Sequence, residues 1–308
     1  MKNELQGLHH ITAIVEDPDE NVAFYTRVLG LRLVKRTVNF DDPATYHLYY
    51  GDEAGSPGTI VTFFPWPAGP RGSRGSGQIS GFALAVPAGA LTFWQQHLPE
   101  VGIRFGEPQQ RWGASALALY DPAGLLIELV EQPEPAKPAP MRNGIPPEAA
   151  IQRLLGVTLT VAAIKPTGAF LTDALGFRAL EDSEGHPRYA LGSAQVELVE
   201  RPGLPRGQIA SGSVHHVAWR VADQAALEGW RGALASANVT DVRDRKYFRS
   251  IYFREPGGVL FELATDPPGF AVDEPPAELG ARLQLPAWLE PHRAAIERRL
   301  PALAEEVL

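Results

Sequence analysis

The stretch AFYTRVLGLR at residues 23–32 recurs as AFLTDALGFR at residues 169–178, and this internal repeat predicts the fold. A second stretch, DPAGLLIEL at residues 121–129, recurs as EPGGVLFEL at residues 255–263. Repetition at this scale indicates that one supersecondary unit is used several times. We therefore infer four units, of which the first resembles the third and the second resembles the fourth.

Each unit shows the same order of patterns. In the first unit an alternating strand at 8–15 precedes an amphipathic helix at 19–29, which Gly30 ends in the C′ position. Three short strands follow, at 31–38, 46–51 and 59–64. The units are predicted at 8–66, 78–132, 154–200 and 213–265. The fold class is therefore α+β, with four βαβββ modules whose pairs form open, cup-like mixed sheets.

The repeat also predicts how the chain is divided. The first two modules form an N-terminal domain at 1–132, and the last two form a C-terminal domain at 151–270. Between them, residues 133–150 are rich in proline and are predicted to be a linker. Residues 271–308 form a proline-rich segment and a helix from about residue 291 to the end. That helix packs on the rest of the chain or on a second copy in a homo-oligomer, and the sequence favours neither arrangement.

Composition excludes several classes of function. The chain has 308 residues, no cysteine and a net charge of −8. Disulfides and thiolate metal sites are therefore absent, and nucleic acid bound through its phosphates is not expected. No apolar run is as long as a membrane helix, and residues 1–7 lack the apolar core of a signal peptide. We expect a cytoplasmic protein that acts away from membranes.

Two histidine pairs stand at the start of strand-like stretches, LHHIT at 8–12 and VHHVA at 214–218. A third stretch, GGVLFEL at 257–263, places Glu262 inside an apolar strand. A carboxylate in that position must be paired or bound to a metal, because burying it bare is costly. Two histidines and one carboxylate are the ligands of a facial Fe(II) site that keeps positions open, and Mn(II) is an alternative metal.

The repeat and the strand period together select the ligands. Gly156 and Phe82 fall at the positions equivalent to His10 and His216, so one metal site between units one and four is expected. Successive strand residues face opposite sides of the sheet. The faces of His9 and His215 continue with apolar residues and suit the core. The faces of His10 and His216 mix polar and apolar residues and suit a pocket. We predict His10, His216 and Glu262 as ligands, with His9 and His215 behind them or at the rim as hydrogen-bond donors. Thr12, on the His10 face, is expected to line the pocket. Glu128 and Glu197 point to solvent or pair with arginines.

These residues resemble the vicinal oxygen chelate superfamily, which includes glyoxalases, fosfomycin-resistance proteins and extradiol dioxygenases. Several stretches are similar to hydroquinone ring-cleaving dioxygenases of the dichlorohydroquinone type over nearly the whole chain. They are LHHIT at 8–12, YHLYY at 46–50, PGT at 57–59 and SIYFREPGG at 250–258. The resemblance implies a metal held by His10, His216 and Glu262, a role for Tyr252 beside it, and an aromatic diol and O2 as substrates.

The resemblance leaves some choices open. Residues 244–248 are shorter than the matching loop of the dichlorohydroquinone enzyme, so Arg245 and Lys246 are both candidates for a basic pocket residue. His47 is a secondary candidate for the site. A glyoxalase-like lyase or a metal-dependent transferase is the main alternative, although Thr62 stands where a fourth, carboxylate ligand would be needed. A metal-free sequestering protein is a third reading, which the two-histidine, one-glutamate set disfavours.

Overall fold

The computed structural model describes residues 4–67, 69–134, 140–180 and 185–304, and within them each predicted unit folds as a strand, a helix and three strands. Unit one comprises β1 (Leu8–Val15), α1 (Pro18–Ala23), β2 (Arg32–Asn39), β3 (Asp42–Gly51) and β4 (Ile60–Pro65). Unit two comprises β5 (Gln78–Pro87), α2 (Leu91–Glu100), β6 (Gln109–Arg111), β7 (Ala114–Tyr120) and β8 (Leu126–Gln132).

The second half repeats this order. Unit three comprises β9 (Arg153–Val161), α3 (Ile164–Ala169), β10 (Arg178–Ala179), β11 (Arg188–Leu191) and β12 (Ala194–Glu200). Unit four comprises β13 (Ser213–Val221), α4 (Gln224–Ala233), β14 (Arg243–Asp244), β15 (Arg249–Arg254) and β16 (Leu260–Thr265). A short helix, α5 (Arg293–Glu297), follows near the end.

The strands form two mixed eight-stranded sheets. One has the order β14-β15-β16-β13-β1-β4-β3-β2, and the other has the order β10-β11-β12-β9-β5-β8-β7-β6. Units one and four therefore share one sheet, and units two and three share the other, as the ligand pattern predicted. This confirms the α+β class with four βαβββ modules. Each sheet takes one unit from either side of the linker, and the domain boundaries at 132 and 151 stay a prediction.

The α-helix before the repeated stretch at 23–32 ends at the first residue of that stretch. α1 ends at Ala23 and continues as a π-helical turn, Phe24–Val28, and α3 continues in the same way as Phe170–Ala174. Asp17 caps α1 by accepting hydrogen bonds from the backbone N–H groups of Asp19 and Glu20. Gly30 has φ +69°, the left-handed conformation expected after a helix end.

The helix-covered faces of both sheets meet in one continuous apolar core. The other faces are concave, and we call them the first cup (units one and four) and the second cup (units two and three). A separate cluster lies in the first cup around Tyr49, Tyr247, Phe248 and Phe270. The core thus fixes the sheets from behind, while the cups remain available for polar side chains.

The C-terminal region differs from its prediction. The helix expected from about residue 291 to 308 is only α5, preceded by a 3₁₀ turn at Glu290–His292. Pro301 lacks a backbone N–H and excludes a continuous helix, so residues 301–304 are irregular. Ile296 and Leu300 pack on Val38 in β2, within the same chain. Residues 305–308 lie outside the described residues, as do 135–139 of the predicted linker.

Candidate metal centre

Three adjacent strands bring the predicted ligands together in the first cup. His10 lies on β1, His216 on β13 and Glu262 on β16. The Nε2 atoms of the two histidines are 3.3 Å apart, and Oε2 of Glu262 lies 3.2 Å from His10 Nε2 and 2.8 Å from His216 Nε2. All three side chains are buried. The three potential ligand atoms therefore point at one small region.

Two β-bulges place the outer histidines. In the β1–β13 ladder, Leu8 pairs with Trp219 and His10 with Ala218, so His9 has no partner across the ladder. On the other strand, His216 pairs with Thr12 and Val214 pairs with Ala13, so His215 is the extra residue. A bulge bends its strand and redirects side chains, and bulges are frequent beside active sites. Each histidine pair thus sits where the regular alternation is interrupted.

The bulges let each outer histidine contact its ligand neighbour. His9 Nδ1 lies 2.9 Å from His10 Nδ1, and His215 Nδ1 lies 2.7 Å from His216 Nδ1. The Nε2 atom of His9 lies 3.2 Å from the carbonyl oxygen of Thr265, which can only accept. His9 therefore donates from Nε2 and accepts at Nδ1, so toward His10 it is an acceptor and not the expected donor. His10 must then donate from Nδ1, which leaves its Nε2 lone pair free toward the centre.

Burial keeps these outer rings neutral. It lowers the pKa of His9 to about 3, and the nearby His10 adds to the effect. Burial also lowers the pKa of His215 to about 3, and His216 contributes in the same direction. A neutral imidazole has one acceptor nitrogen, so both outer histidines are able to accept the Nδ1 protons of the inner pair. His10 is thereby held in the tautomer that metal binding through Nε2 requires, and His215 is able to do the same for His216.

Glu262 behaves as an anion with missing partners. Burial alone would raise its pKa, but His10 and His216 outweigh burial and hold the pKa well below its usual range. Within the part of the chain that the structure describes, neither carboxylate oxygen makes a hydrogen bond of good geometry. A buried carboxylate left in this state is expensive. A divalent cation between Glu262 and the two imidazoles would remove that cost, so the residues fit a metal ion.

An aromatic cavity of about 260 Å³ opens onto this cluster. Its wall includes Phe40, Phe64, Trp66, Phe248 and Tyr252, together with the polar residues Asn39, Asp41, His47, Tyr49, His215 and Arg245. His10, His216 and Glu262 line its inner end. A cavity with an apolar wall and a few polar groups at one end is typical of a small-molecule site.

The loop between β14 and β15 separates the two basic candidates. Arg245 lines the cavity, and its Nε lies 3.2 Å from the hydroxyl oxygen of Tyr252. Lys246 has φ +65° and its Nζ instead donates to the carbonyl oxygen of Leu285 and pairs with Asp273. The left-handed residue turns the chain, so the two neighbouring cations point to different places.

A chain of hydroxyl and imidazole groups runs beside the ligands. Thr12 Oγ1 lies 3.1 Å from Thr62 Oγ1, which lies 2.7 Å from His47 Nε2. His47 Nδ1 is in turn 2.8 Å from the hydroxyl of Tyr49. Thr12 is fully buried and does not itself line the cavity, so its expected place in the wall is taken by His47 and Tyr49. Thr62 stands where a carboxylate ligand would be required.

The second cup explains the two unassigned glutamates. Glu128 and Glu197 are buried, and Arg111 bridges them at 3.0 Å through Nε and 2.6 Å through Nη2. Trp112 Nε1 donates to the other oxygen of Glu128 at 2.8 Å. A guanidinium thus lies between two carboxylates here, where the first cup has a cluster that fits a metal.

The sheet register shows why the second cup lacks histidine ligands. Ala218 pairs with both His10 and Glu262, and Ala83 pairs with both Gly156 and Glu128. Gly156 is therefore the structural equivalent of His10. Gly81, two residues before Ala83 on β5, is the equivalent of His216, and not Phe82 as expected. A Cβ on Gly156 would lie 2.5 Å from the backbone oxygen of Gln195, so this position accepts no side chain.

Some residues of the site were predicted from the sequence, and others became evident only in the structure. The convergence of His10, His216 and Glu262, with His9 and His215 behind them, follows the sequence pattern, and their ligand and supporting roles stay a proposal. Sequence reasoning missed Asp41, Arg111 and Trp112. Arg111 and Trp112 carried no motif, and Asp41 is one of two acids in a hairpin turn. Among the described residues, one cluster of histidine and carboxylate groups could hold a metal, and it is this one.

Comparison with known proteins places the chain in a family. A model of the glyoxalase/bleomycin resistance protein/dioxygenase superfamily matches residues 7–129 and 153–263, which is most of all four units. The chain belongs to this superfamily.

Similar proteins within this superfamily indicate the kind of enzyme. A Bacillus subtilis (strain 168) protein named "Putative ring-cleaving dioxygenase MhqO" is 43% identical over 97% of each chain. The chlorohydroquinone/hydroquinone 1,2-dioxygenase of Sphingobium indicum is 35% identical over 94% of each chain. A crystal structure described as a "putative dioxygenase" from Bacillus subtilis, 43% identical, superposes with a TM-score of 0.93 over 98% of each chain. The protein is an enzyme of the dioxygenase kind.

None of the described helices has both the length and the apolar character needed to span a bilayer.

Proposed function

We propose that the protein is a non-haem, Fe(II)-dependent dioxygenase that opens the ring of a hydroquinone or catechol-like diol with O2 in an extradiol-type reaction. The observation that carries this proposal is the meeting of His10 Nε2, His216 Nε2 and an unpartnered Glu262 carboxylate at the inner end of an aromatic cavity. A two-histidine, one-carboxylate set suits Fe(II) with open positions. Ring cleavage by the relatives supports the reaction class.

His10, His216 and Glu262 would hold the metal. Bound iron would supply the redox chemistry and the open positions that O2 activation and ring opening require. The same donor set accepts Mn(II), which is the alternative metal. His9 and His215 keep the Nε2 lone pairs of the ligands available, through the Nδ1 contacts at 2.9 and 2.7 Å.

Tyr252 would donate a hydrogen bond to an oxygen of the diol. Burial, followed by the charge of Glu262, raises its pKa, so the hydroxyl keeps its proton. Its oxygen accepts from Arg245 Nε and Ser250 Oγ, both at 3.2 Å, which leaves its own hydrogen for the cavity. The cationic Arg245 beside it favours negative charge that develops on the ring oxygen. Both residues line the cavity.

The shape of the cavity suits one aromatic ring. A volume of about 260 Å³ admits a monocyclic diol, and Phe248 and Phe64 stand beside the polar end where the hydroxyls would lie. Aromatic walls favour a flat apolar ring through stacked or edge contacts. The hydroxyls of the diol would lie toward His10, His216 and Glu262, and the Tyr252 ring lies 5.7 Å from the His216 ring, centre to centre.

Anaerobic Fe(II) loading followed by oxygen uptake tests this function. Purified protein is offered a panel of hydroquinones and catechols, and we expect uptake of one O2 per ring opened, with loss of the ring's absorbance. Mn(II)-loaded protein, assayed in parallel, identifies the active metal. Metal binding without oxygen uptake on any diol would favour a lyase on the same fold. That lyase would have to act without a fourth carboxylate, because Thr62 stands at the matching position and bonds His47.

A further inference from the structure

We infer that Asp41 sets which ring substituents the cavity accepts, by pairing with Arg245 so that rings bearing a carboxylate are rejected. This inference rests on the proposed ring cleavage and adds to it a class of substrate, the diols without an anionic substituent. It also assigns a specificity role to a residue outside the metal cluster.

The pair spans the first cup. Asp41 lies at the tip of the β2–β3 hairpin of unit one, and Arg245 lies in the β14–β15 hairpin of unit four. Asp41 Oδ2 is 2.9 Å from Arg245 Nη1, although 204 residues separate the two in the chain. Both residues line the cavity above the ligands. A ring that enters the cavity therefore meets this ion pair.

The charges in the wall favour uncharged substituents. Among the described residues that line the cavity, Arg245 is the one lysine or arginine, and Asp41 and Glu262 are the carboxylates. The imidazole of His47 in the wall is held between Thr62 Oγ1 and the Tyr49 hydroxyl. With Arg245 engaged by Asp41, a carboxylate on the ring finds no uncommitted basic side chain in the wall and faces the carboxylate of Asp41. Like charges at close range disfavour such a ligand.

Arg245 does not depend on Asp41 for its position. Its Nε bonds Tyr252, and its guanidinium lies 5.4 Å from the centre of the Tyr252 ring, a cation–π contact. The hairpin tip is held separately, since Asn39 Oδ1 accepts from the backbone N–H of Asp41 at 3.0 Å. Removing the charge of Asp41 should therefore leave Arg245 in the wall with Nη1 free to bind an anion.

The test compares an acid with its neutral isostere. The substrates are 2,5-dihydroxybenzoate and 2,5-dihydroxybenzamide, which differ in charge and hardly in size. We expect Asp41→Asn to raise the benzoate-to-benzamide ratio of kcat/KM, mainly through KM, by about tenfold. The change is not expected to be larger, because the Asp41 side chain is 63% exposed and water screens it. Asp41→Glu restores the carboxylate and should restore the wild-type preference.

Asp42→Asn is the matched control. It removes one charge from the same hairpin, but the Asp42 carboxylate accepts from Thr45 Oγ1 and does not line the cavity. Its ratio should equal that of the wild type. An unchanged ratio in Asp41→Asn, or the same change in both variants, would overturn the inference.

A binding measurement separates this inference from the proposed function. The dissociation constants of the two rings for Fe(II)-loaded protein are measured without oxygen, by isothermal titration calorimetry. If the wild type binds both rings but takes up no oxygen with any diol of the panel, the proposed ring cleavage fails, while the binding ratio still decides the role of Asp41. If turnover occurs and the binding ratio is the same in wild type and Asp41→Asn, the role of Asp41 is overturned and the proposed ring cleavage stands.

Discussion

His215 Nδ1 lies 2.7 Å from His216 Nδ1, although neighbouring side chains of a regular strand point to opposite faces. The contact exists because His215 is the extra residue of a β-bulge in β13. His9 has the same relation to His10 across the pseudo-symmetric bulge in β1. Each histidine pair is thus a proposed ligand and a neighbour in position to fix its tautomer, built from two consecutive residues.

Loss of the glutamate ligand should abolish metal binding. Glu262→Gln replaces the anion with an amide, and we expect Fe(II) affinity to fall by at least about a hundredfold, since the site loses its one negative ligand. His10→Ala and His216→Ala should have the same effect. The measurement is an anaerobic iron titration.

Glu128→Gln is the control for that series, because Glu128 is held by Arg111 and Trp112 in the second cup. Its iron affinity should match that of the wild type. Equal loss of iron in Glu262→Gln and Glu128→Gln would contradict a single site in the first cup.

Replacing an outer histidine should weaken the metal site without removing a ligand. In His215→Leu, the Nδ1 proton of His216 loses its acceptor, and we expect iron affinity to fall by about 10-fold to 100-fold. His215→Gln offers a carbonyl oxygen in place of Nδ1 and should recover part of the loss. Identical affinities for the leucine and glutamine variants would show that tautomer control is not what His215 contributes.

A buried lysine anchors the segment after β16. Lys35 is fully buried in β2, its Nζ lies 2.6 Å from Asp273 Oδ1, and it also pairs with Glu274. Lys35→Met leaves the buried Glu274 without its cation and Asp273 with Lys246 alone, so the free energy of unfolding should fall by about 3–5 kcal/mol. Urea unfolding measures this. Removing Arg293 from its exposed pairs with Glu290 and Glu297 should cost less than about 1 kcal/mol. A loss this small in Lys35→Met would contradict the anchoring role.

Asp121 makes stability depend on pH. Burial raises its pKa from 3.8 to about 6, and the hydrogen bonds from Leu125 N and Tyr25 only partly offset burial. The folded state therefore binds this proton more tightly than the unfolded state. Its stabilising contribution is complete below pH 3.8 and is lost as the pH rises through about 6, a change of about 3 kcal/mol at most.

Asp121→Asn replaces the titratable carboxyl group with an amide, so this contribution to the pH dependence of stability should disappear. Urea unfolding of the wild type and of the variant between pH 4 and pH 7.5 measures the difference. We expect the stability of Asp121→Asn, relative to the wild type, to rise across that window. A difference that stays constant with pH would mean that Asp121 keeps an ordinary pKa.

The sequence predicted the fold because repetition leaves a visible signal. The recurrence of 23–32 at 169–178 and of 121–129 at 255–263 implied four similar units, and each folds as a strand, a helix and three strands. The absence of histidine at Gly156 then indicated that units one and four share a sheet, which is the observed pairing. Strand periodicity also selected the histidine of each pair that faces Glu262.

Local patterns were less informative where backbone geometry departs from regularity. The π-helical turn Phe24–Val28 keeps the apolar spacing of a helix, so the sequence does not distinguish it from a continued α-helix. The predicted C-terminal helix failed because Pro301 interrupts it. The segment from Ala83 to Glu128 is one residue longer than the equivalent segment from Ala218 to Glu262, so the counterpart of His216 is Gly81 rather than the expected Phe82.

The sequence by itself determined the modules, their pairing and the three residues that converge in the first cup, because periodicity and repetition are properties of the chain. The tertiary structure alone decided which cation faces the cavity, Arg245 rather than Lys246, because one left-handed residue turns the loop between them. It alone joined Asp41 to Arg245 and Arg111 to two glutamates. Such contacts join side chains far apart in the chain, and only the folded sheet sets the distances between them.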